Sequence, residues 1–177
     1  MFPFVRIAKD LFLARRLPKF DTLSDTHVSQ HICWPVDIDA YLEMNNGRVL
    51  TLYDLNRISL ARRMGLLAVM KRRRWGFTIA GSSVRYRHRV RPFERFSMRA
   101  HCVGRDARFF YLEQSMIRKG KATSNALFRA AVIDRNGAVP TQDVAVEMAE
   151  PDWNPVLPGW VQNWIDAENS RPWPPAL

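Results

Sequence analysis

Residues Trp34 to Gly65 read WPVDIDAYLEMNNGRVLTLYDLNRISLARRMG. They describe the end of a strand, a polar loop and one long helix. The loop carries two acids two residues apart, Asp37 and Asp39. In an extended loop such residues point to the same side. Like charges held that close raise the proton affinity of one member of the pair. That is one way to keep a base or nucleophile usable near neutral pH. Met44-Asn45-Asn46-Gly47 follows. Asn45 or Asn46 can cap the helix, whose first turn offers free N–H groups and a partial positive charge. A carbonyl placed there would find donors for its oxyanion at Asn45, Asn46 or Gly47. The plainer alternative is that Asp37, Asp39 and Asn45 only shape a turn and cap a helix, and the residues alone leave both open.

Working outward, residues 46–64 have helical periodicity. Val49, Tyr53, Leu60 and Met64 form one apolar stripe, which Leu50 and Ala61 widen. Arg57 interrupts that stripe, and a buried arginine requires a partner. Asp54, three residues back, and Asp37 in the loop are the two candidates. Gly65 stops the helix. A shorter helix is expected over Leu66–Trp75, ending in Lys71-Arg72-Arg73-Arg74. Such a run is either a solvated face or a contact for phosphate oxygens.

Phe77 to Arg91 reads as a long strand whose parity switches at Gly81-Ser82-Ser83, the mark of a bulge or bend. Arg85, Arg87, Arg89 and Arg91 would then line one face, solvated or anion-binding. Three further strands follow at residues 96–102, 108–118 and 122–134, separated by turn signals. The 108–118 strand is apolar on both faces in part, so it belongs in the middle of a sheet or at a subunit interface. A strand, one long helix and a run of antiparallel strands give an α+β domain: a curved antiparallel sheet of about five strands wrapped around the helix. Its long edges favour pairing with a second copy.

The chain of 177 residues suits one domain, expected over residues 25–145 with extensions at 1–24 and 146–177. Residues 1–20 are apolar and basic with helical spacing, too charged to cross a bilayer. They lack a clean secretion signal. They either pack on the domain or lie on a membrane surface, so the expected location is cytoplasmic, with or without membrane contact. The C-terminal extension is rich in Pro and Trp. Trp160, Val161, Trp164 and Ile165 suit a short helix flanked by Trp153 and Trp173, covering a core edge or dimer surface. The net charge of +10 favours an anionic partner, yet no nucleic-acid-binding motif is present. Cys33 and Cys102 read as buried thiols. The histidines lack metal-ligand spacing. His27 and His31 are placed just before a strand, where four residues would not bring them to one face, and read as structural or solvent-facing.

The pattern W-P-x-D-x-D-x-x-x-x-M-N-N-G-R-x-L, with Asp54 and Arg57 beyond it, resembles the hotdog-fold thioesterases. It is most similar to their 4-hydroxybenzoyl-CoA thioesterase-like and acyl-ACP thioesterase-like branch, which shows D-x-D-x-x-x-H-V/M-N-N-x-x-Y before its central helix. The resemblance covers roughly residues 25 to 145. It implies a hotdog fold and an acyl-thioester hydrolase acting on acyl-CoA or acyl carrier protein. The site would lie at the interface of a homodimer, and a tetramer is the alternative assembly. No cofactor or metal is implied, CoA or phosphopantetheine being part of the substrate. Asp39 aligns with the acid that serves as nucleophile or general base. Asp54 and Arg57 would support the loop. Arg72, Arg73, Arg74, Arg85, Arg87 and Arg89 would contact CoA or the carrier protein. Two positions depart from the pattern: Glu43 stands where many relatives have His, and Tyr41 where acyl-ACP thioesterases have Asn. Glu43 is thus the alternative base, and its presence also favours a non-catalytic module that binds acyl-CoA or acyl carrier protein.

Overall fold

The striped segment folds as the helix α2, Asn46–Arg63. In the computed structural model, which describes residues 3–172, 174 and 175, the other elements are arranged around it. In chain order they are α1 (Phe4–Arg16), β1 (His27–Ile32), α2, α3 (Leu66–Arg73), β2 (Gly76–Tyr86), β3 (Arg95–Arg105), β4 (Phe110–Arg118), β5 (Lys121–Asp134), the two-residue β6 (Gly137–Ala138), α4 (Thr141–Glu147) and α5 (Gly159–Ser170). The antiparallel sheet runs β1-β3-β4-β5-β2, with β6 added on β5. β2 therefore does not pair with β3, the next strand in sequence. It lies at the far edge beside β5, with a register shift between Ile79 and Gly81. This is the hotdog arrangement: a curved sheet closed around one long helix.

Side-chain alternation explains both faces of the sheet. On one face Met98, Ala100, Leu112, Met116, Ala126 and Phe128 pack with Leu52, Tyr53, Leu55 and Leu60 of α2 in one buried core. Burying each large apolar side chain contributes roughly 1.5–3 kcal/mol. Tyr111 and Leu127, one residue out of phase with Leu112 and Phe128, face the other way. They are covered by Val161 and Ile165 of α5, and Trp164 meets Tyr111 edge-on at 6.5 Å. The C-terminal helix thus seals the outer face of the sheet. Trp153 stacks near Phe110, at 6.4 Å between ring centroids. Trp173 lies outside the described residues.

The N-terminal segment packs on the domain through Asp10 and Ala14, which are buried, and through Ile7 and Phe20 against the core. Glu150 holds the following linker, accepting from Thr22 Oγ1 at 2.9 Å and from the Leu23 N–H at 2.7 Å.

Three expectations change. The first strand stops at Ile32, because Pro35–Asp37 forms a single 3-10 turn that ends the extended backbone. The long basic strand stops at Tyr86: the Arg87 and His88 N–H groups both reach the Thr123 carbonyl (2.8 and 3.1 Å), so the chain curls off its ladder. Arg87, Arg89 and Arg91 therefore do not extend a stripe begun by Arg85. Finally, His27 and His31 both lie within β1, at positions of the same parity, so they share a face and both are buried. The helix α4, whose Val144 and Ala145 are buried, was not foreseen from the sequence. Among the described residues no helix is long and apolar enough to cross a membrane.

Candidate active site

The start of α2 is where the loop, the end of β2 and the start of β5 converge. Asn45 is the cap: its Oδ1 accepts from the N–H groups of Gly47 (2.9 Å) and Arg48 (3.2 Å). The Val49 N–H is bonded to the Asn45 carbonyl at 3.0 Å. Among the described residues this leaves the Asn46 N–H as the first-turn donor without an acceptor. The cap therefore consumes the Gly47 donor expected for an oxyanion and spares the Asn46 one.

The two acids separate. Because Pro35–Asp37 is a 3-10 turn, the alternation that would have put Asp37 and Asp39 on one side does not apply. Asp37 is buried. Its carboxylate accepts from the Trp34 N–H at 2.8 Å and from Arg6 at 2.6 Å, and lies 3.1 Å from Arg48 Nε. It ties α1 and the first turn of α2 to the loop and is not presented to solvent. Asp39 heads a tight turn: its Oδ1 accepts from the Tyr41 N–H at 2.8 Å, and its backbone is bonded to Leu42 and Glu43.

Glu43 emerges on the other side of that turn. With Asn46, Tyr86, His88, Arg89 and Ser124 it lines a cavity of about 220 Å³. Arg89 Nε meets Glu43 Oε2 at 2.8 Å, and the Met44 N–H donates to the Val90 carbonyl at 2.8 Å, pinning the loop to the segment after β2. Beside the cavity the Tyr53 hydroxyl and Ser124 Oγ are 2.8 Å apart. Burial pushes the Tyr53 phenol far above its ordinary range. Asp39 does not line this cavity.

Arg57 lies deep between α2 and the sheet. It donates to Gln114 Oε1 at 2.7 Å, pairs with Asp54, and its guanidinium sits 4.1 Å over the Phe128 ring. Burial lowers its pKa to about 10. Of the two candidate partners it takes Asp54, while Asp37 is taken by Arg6 and Arg48. Arg72 and Arg73 both bind Glu147, joining α3 to α4 and holding the Glu147 carboxyl down to about 2. Arg74 ends α3 with a left-handed backbone, Arg85 is exposed on β2, and Arg87 and Arg89 line the cavity. Of the six expected arginines, two form a helix clasp, two line the cavity, and Arg74 and Arg85 do neither.

Tyr86, His88, Thr123 and Ser124 line the same cavity and were not identified from the sequence. The pairing of Tyr86 with Ser124 across β2 and β5 brings them there, and no local signal announces it. Among the described residues no group of His, Cys, Asp and Glu is arranged to hold a metal ion.

A profile described as the thioesterase-like superfamily matches residues 33–175. The chain belongs to the thioesterase-like superfamily. The chain is also similar to protein THEM6 of Xenopus laevis, with 30% identity over 170 residues that cover 94% of this chain and 80% of the relative. Two solved structures share the fold. One is YbaW from Escherichia coli (TM-score 0.65, 17% identity, 70% of this chain and 96% of that one). The other is the DHNA-CoA thioesterase from Staphylococcus aureus (TM-score 0.64, 12% identity, 81% and 95%). This superfamily chain therefore has the hotdog fold of thioesterases, with Glu43 at the wall of its cavity.

Proposed function

We propose that the chain hydrolyses acyl thioesters, with the acyl group carried on CoA or acyl carrier protein. The observation that carries this reading is that Glu43 and Asn46, whose N–H has no acceptor among the described residues, line one small cavity at the start of α2. A thioester carbonyl there would have a base on one side and an oxyanion donor on the other. Glu43 takes a proton from water as the water oxygen attacks the carbonyl carbon. The oxyanion is held by the Asn46 N–H and the positive end of α2. Collapse breaks the C–S bond, and the departing thiolate takes the proton from Glu43. Thiolate is a good leaving group, so the reading calls for no metal or redox cofactor. Arg89 orients Glu43, and Arg87 supplies positive charge for the phosphates of the carrier. Asp39 is the other candidate for the base or nucleophile.

The working unit in this reading is a cytoplasmic homodimer. β2 pairs with β5 on one side only among the described residues, leaving an edge on which a second copy can add its own strand.

The competing reading is a module that binds acyl-CoA or acyl carrier protein without turnover. It is favoured by the tie between Glu43 and Arg89 and by the absence of Asp39 from the cavity wall. Thiol release from a panel of short, long and aromatic acyl-CoAs, and then from acyl carrier protein, separates the two. Turnover that collapses in Glu43→Gln and survives in Asp39→Ala supports the mechanism above. The reverse pattern transfers the role to Asp39. Binding with no turnover on either carrier establishes the module.

A further inference from the structure

The outward face of α1 is apolar where a helix on a domain surface is ordinarily polar. The helix buries Asp10 and Ala14 against the domain. Its opposite face presents Val5 (85% exposed), Phe12 (53%) and Leu13 (49%), among Lys9, Arg15 and Arg16. The Arg16 guanidinium lies 4.2 Å over the Phe12 ring. The single acid of the helix, Asp10, is 5% exposed, so the outward face carries positive charge only.

That face continues onto the domain. Val5, Arg6, Lys9, Trp34 and Arg95 help to line a hollow of about 450 Å³ between α1 and the end of β1. Trp34 and the neighbouring Val36 are exposed beside it. Arg95 is exposed and makes no ion pair among the described residues. Arg6 is committed to Asp37, and Lys9, half-exposed, lies 3.3 Å from the buried Asp10 carboxylate, so the hollow offers a ligand the charge of Arg95 and that of a Lys9 shared with Asp10. Exposed apolar and aromatic side chains surrounded by bases, with a cationic hollow of this size, match the chemistry of an anionic bilayer surface. Apolar side chains enter the acyl boundary while lysine and arginine remain at the phosphates.

We propose that α1, with Trp34, Val36 and the hollow lined by Lys9 and Arg95, docks the protein on the surface of a membrane containing anionic phospholipid. The docked helix is bonded to the loop of the candidate site. Arg6 donates to Asp37 and to the Ile32 carbonyl (2.6 and 3.0 Å), and Asp37 contacts Arg48 in the first turn of α2. The bilayer would therefore sit against the element that orders that loop.

Cosedimentation of the full chain with vesicles tests it, using phosphatidylcholine alone and phosphatidylcholine with phosphatidylglycerol. Binding is expected to the anionic vesicles and to weaken with salt. Arg15→Gln/Arg16→Gln should weaken it by about fivefold for each basic residue removed. Val5→Glu/Phe12→Glu should abolish it, and because both positions are exposed the variant should keep its thermal transition. Lys9→Gln/Arg95→Gln is a second variant that leaves the apolar face intact and should also weaken binding. Absence of binding to anionic vesicles would overturn the proposal. So would equal binding to neutral vesicles, or binding unchanged in the Val5/Phe12 variant. A second copy of the chain is the competing occupant. It would show as a concentration-dependent dimer, lost in the Val5/Phe12 variant, with no lipid binding.

Discussion

Glu43 and Arg89 meet at 2.8 Å at the wall of the cavity beside the α2 N-terminus. The loop that bears the acids and the segment that follows β2 are joined through that pair. It holds Glu43 on the cavity that Asn46 also lines, while Asp37 and Asp39 are engaged elsewhere. Substitution at the two ends should therefore have unequal effects. Under the proposed hydrolysis, Glu43→Gln removes the base and should lower kcat by about 10²–10⁴-fold. Arg89→Ala removes only the group proposed to orient Glu43, leaving the carboxylate in place, and should lower kcat by less than Glu43→Gln does. Steady-state thiol release for both variants checks this, and equal loss of kcat in the two would refute the division of roles.

Asp37 should behave as a structural anion. It is buried, and two guanidinium groups and the Trp34 N–H converge on it. Asp37→Ala leaves those cations uncompensated and should cost about 3–5 kcal/mol, read from urea denaturation. A variant as stable as the parent would show that Arg6 and Arg48 find other partners.

Arg57 separates packing from pairing. Arg57→Met keeps contact with Phe128 but leaves the Gln114 Oε1 acceptor without its donor. It should cost about 1–3 kcal/mol. Arg57→Ala, which also opens a cavity, should cost more. Equal losses in the two variants would assign the stabilisation to pairing alone.

Stability should fall on mild acidification. Burial first, then neighbouring positive charges, hold the folded-state pKa of His27 down to about 4 and that of His31 to about 3. The unfolded chain takes up protons below its ordinary value near 6.5, where the folded chain does not. Stability contributed by these two residues is thus present above about pH 6.5 and is lost as pH falls from there toward 4 and 3. Asp10 opposes this in part, since burial raises its pKa and its native form holds a proton more readily than its unfolded one. Urea midpoints at about pH 7 and pH 5 should show the loss, and His31→Gln should show a shallower one. No difference between the two pH values would remove the histidines from the acid response.

The residues with local meaning were legible without tertiary structure. Asn45 capped α2, the Val49–Tyr53–Leu60 stripe turned inward, and the Gly81 region broke the register of β2, because capping, helical periodicity and strand alternation depend on near neighbours. The D-x-D…M-N-N pattern pointed to the loop and helix start that border the cavity. Its division of labour was not legible. A single 3-10 turn at Pro35 rotated Asp37 inward to Arg6, 31 residues away. The early end of β2 at Tyr86 sent Arg89 to Glu43 and put His88 on the cavity wall. The placement of β2 beside β5, not β3, brought Thr123 and Ser124 to the same cavity. Sequence by itself determined the long helix, its cap, the succession of strands after it and where the polar loop lies, since these follow from local periodicity and backbone chemistry. Only the tertiary structure decided which acid is buried, which lines the cavity and which helix donor remains free. Those outcomes depend on partners contributed by distant strands, and burial and charge pairing are properties of the assembled fold.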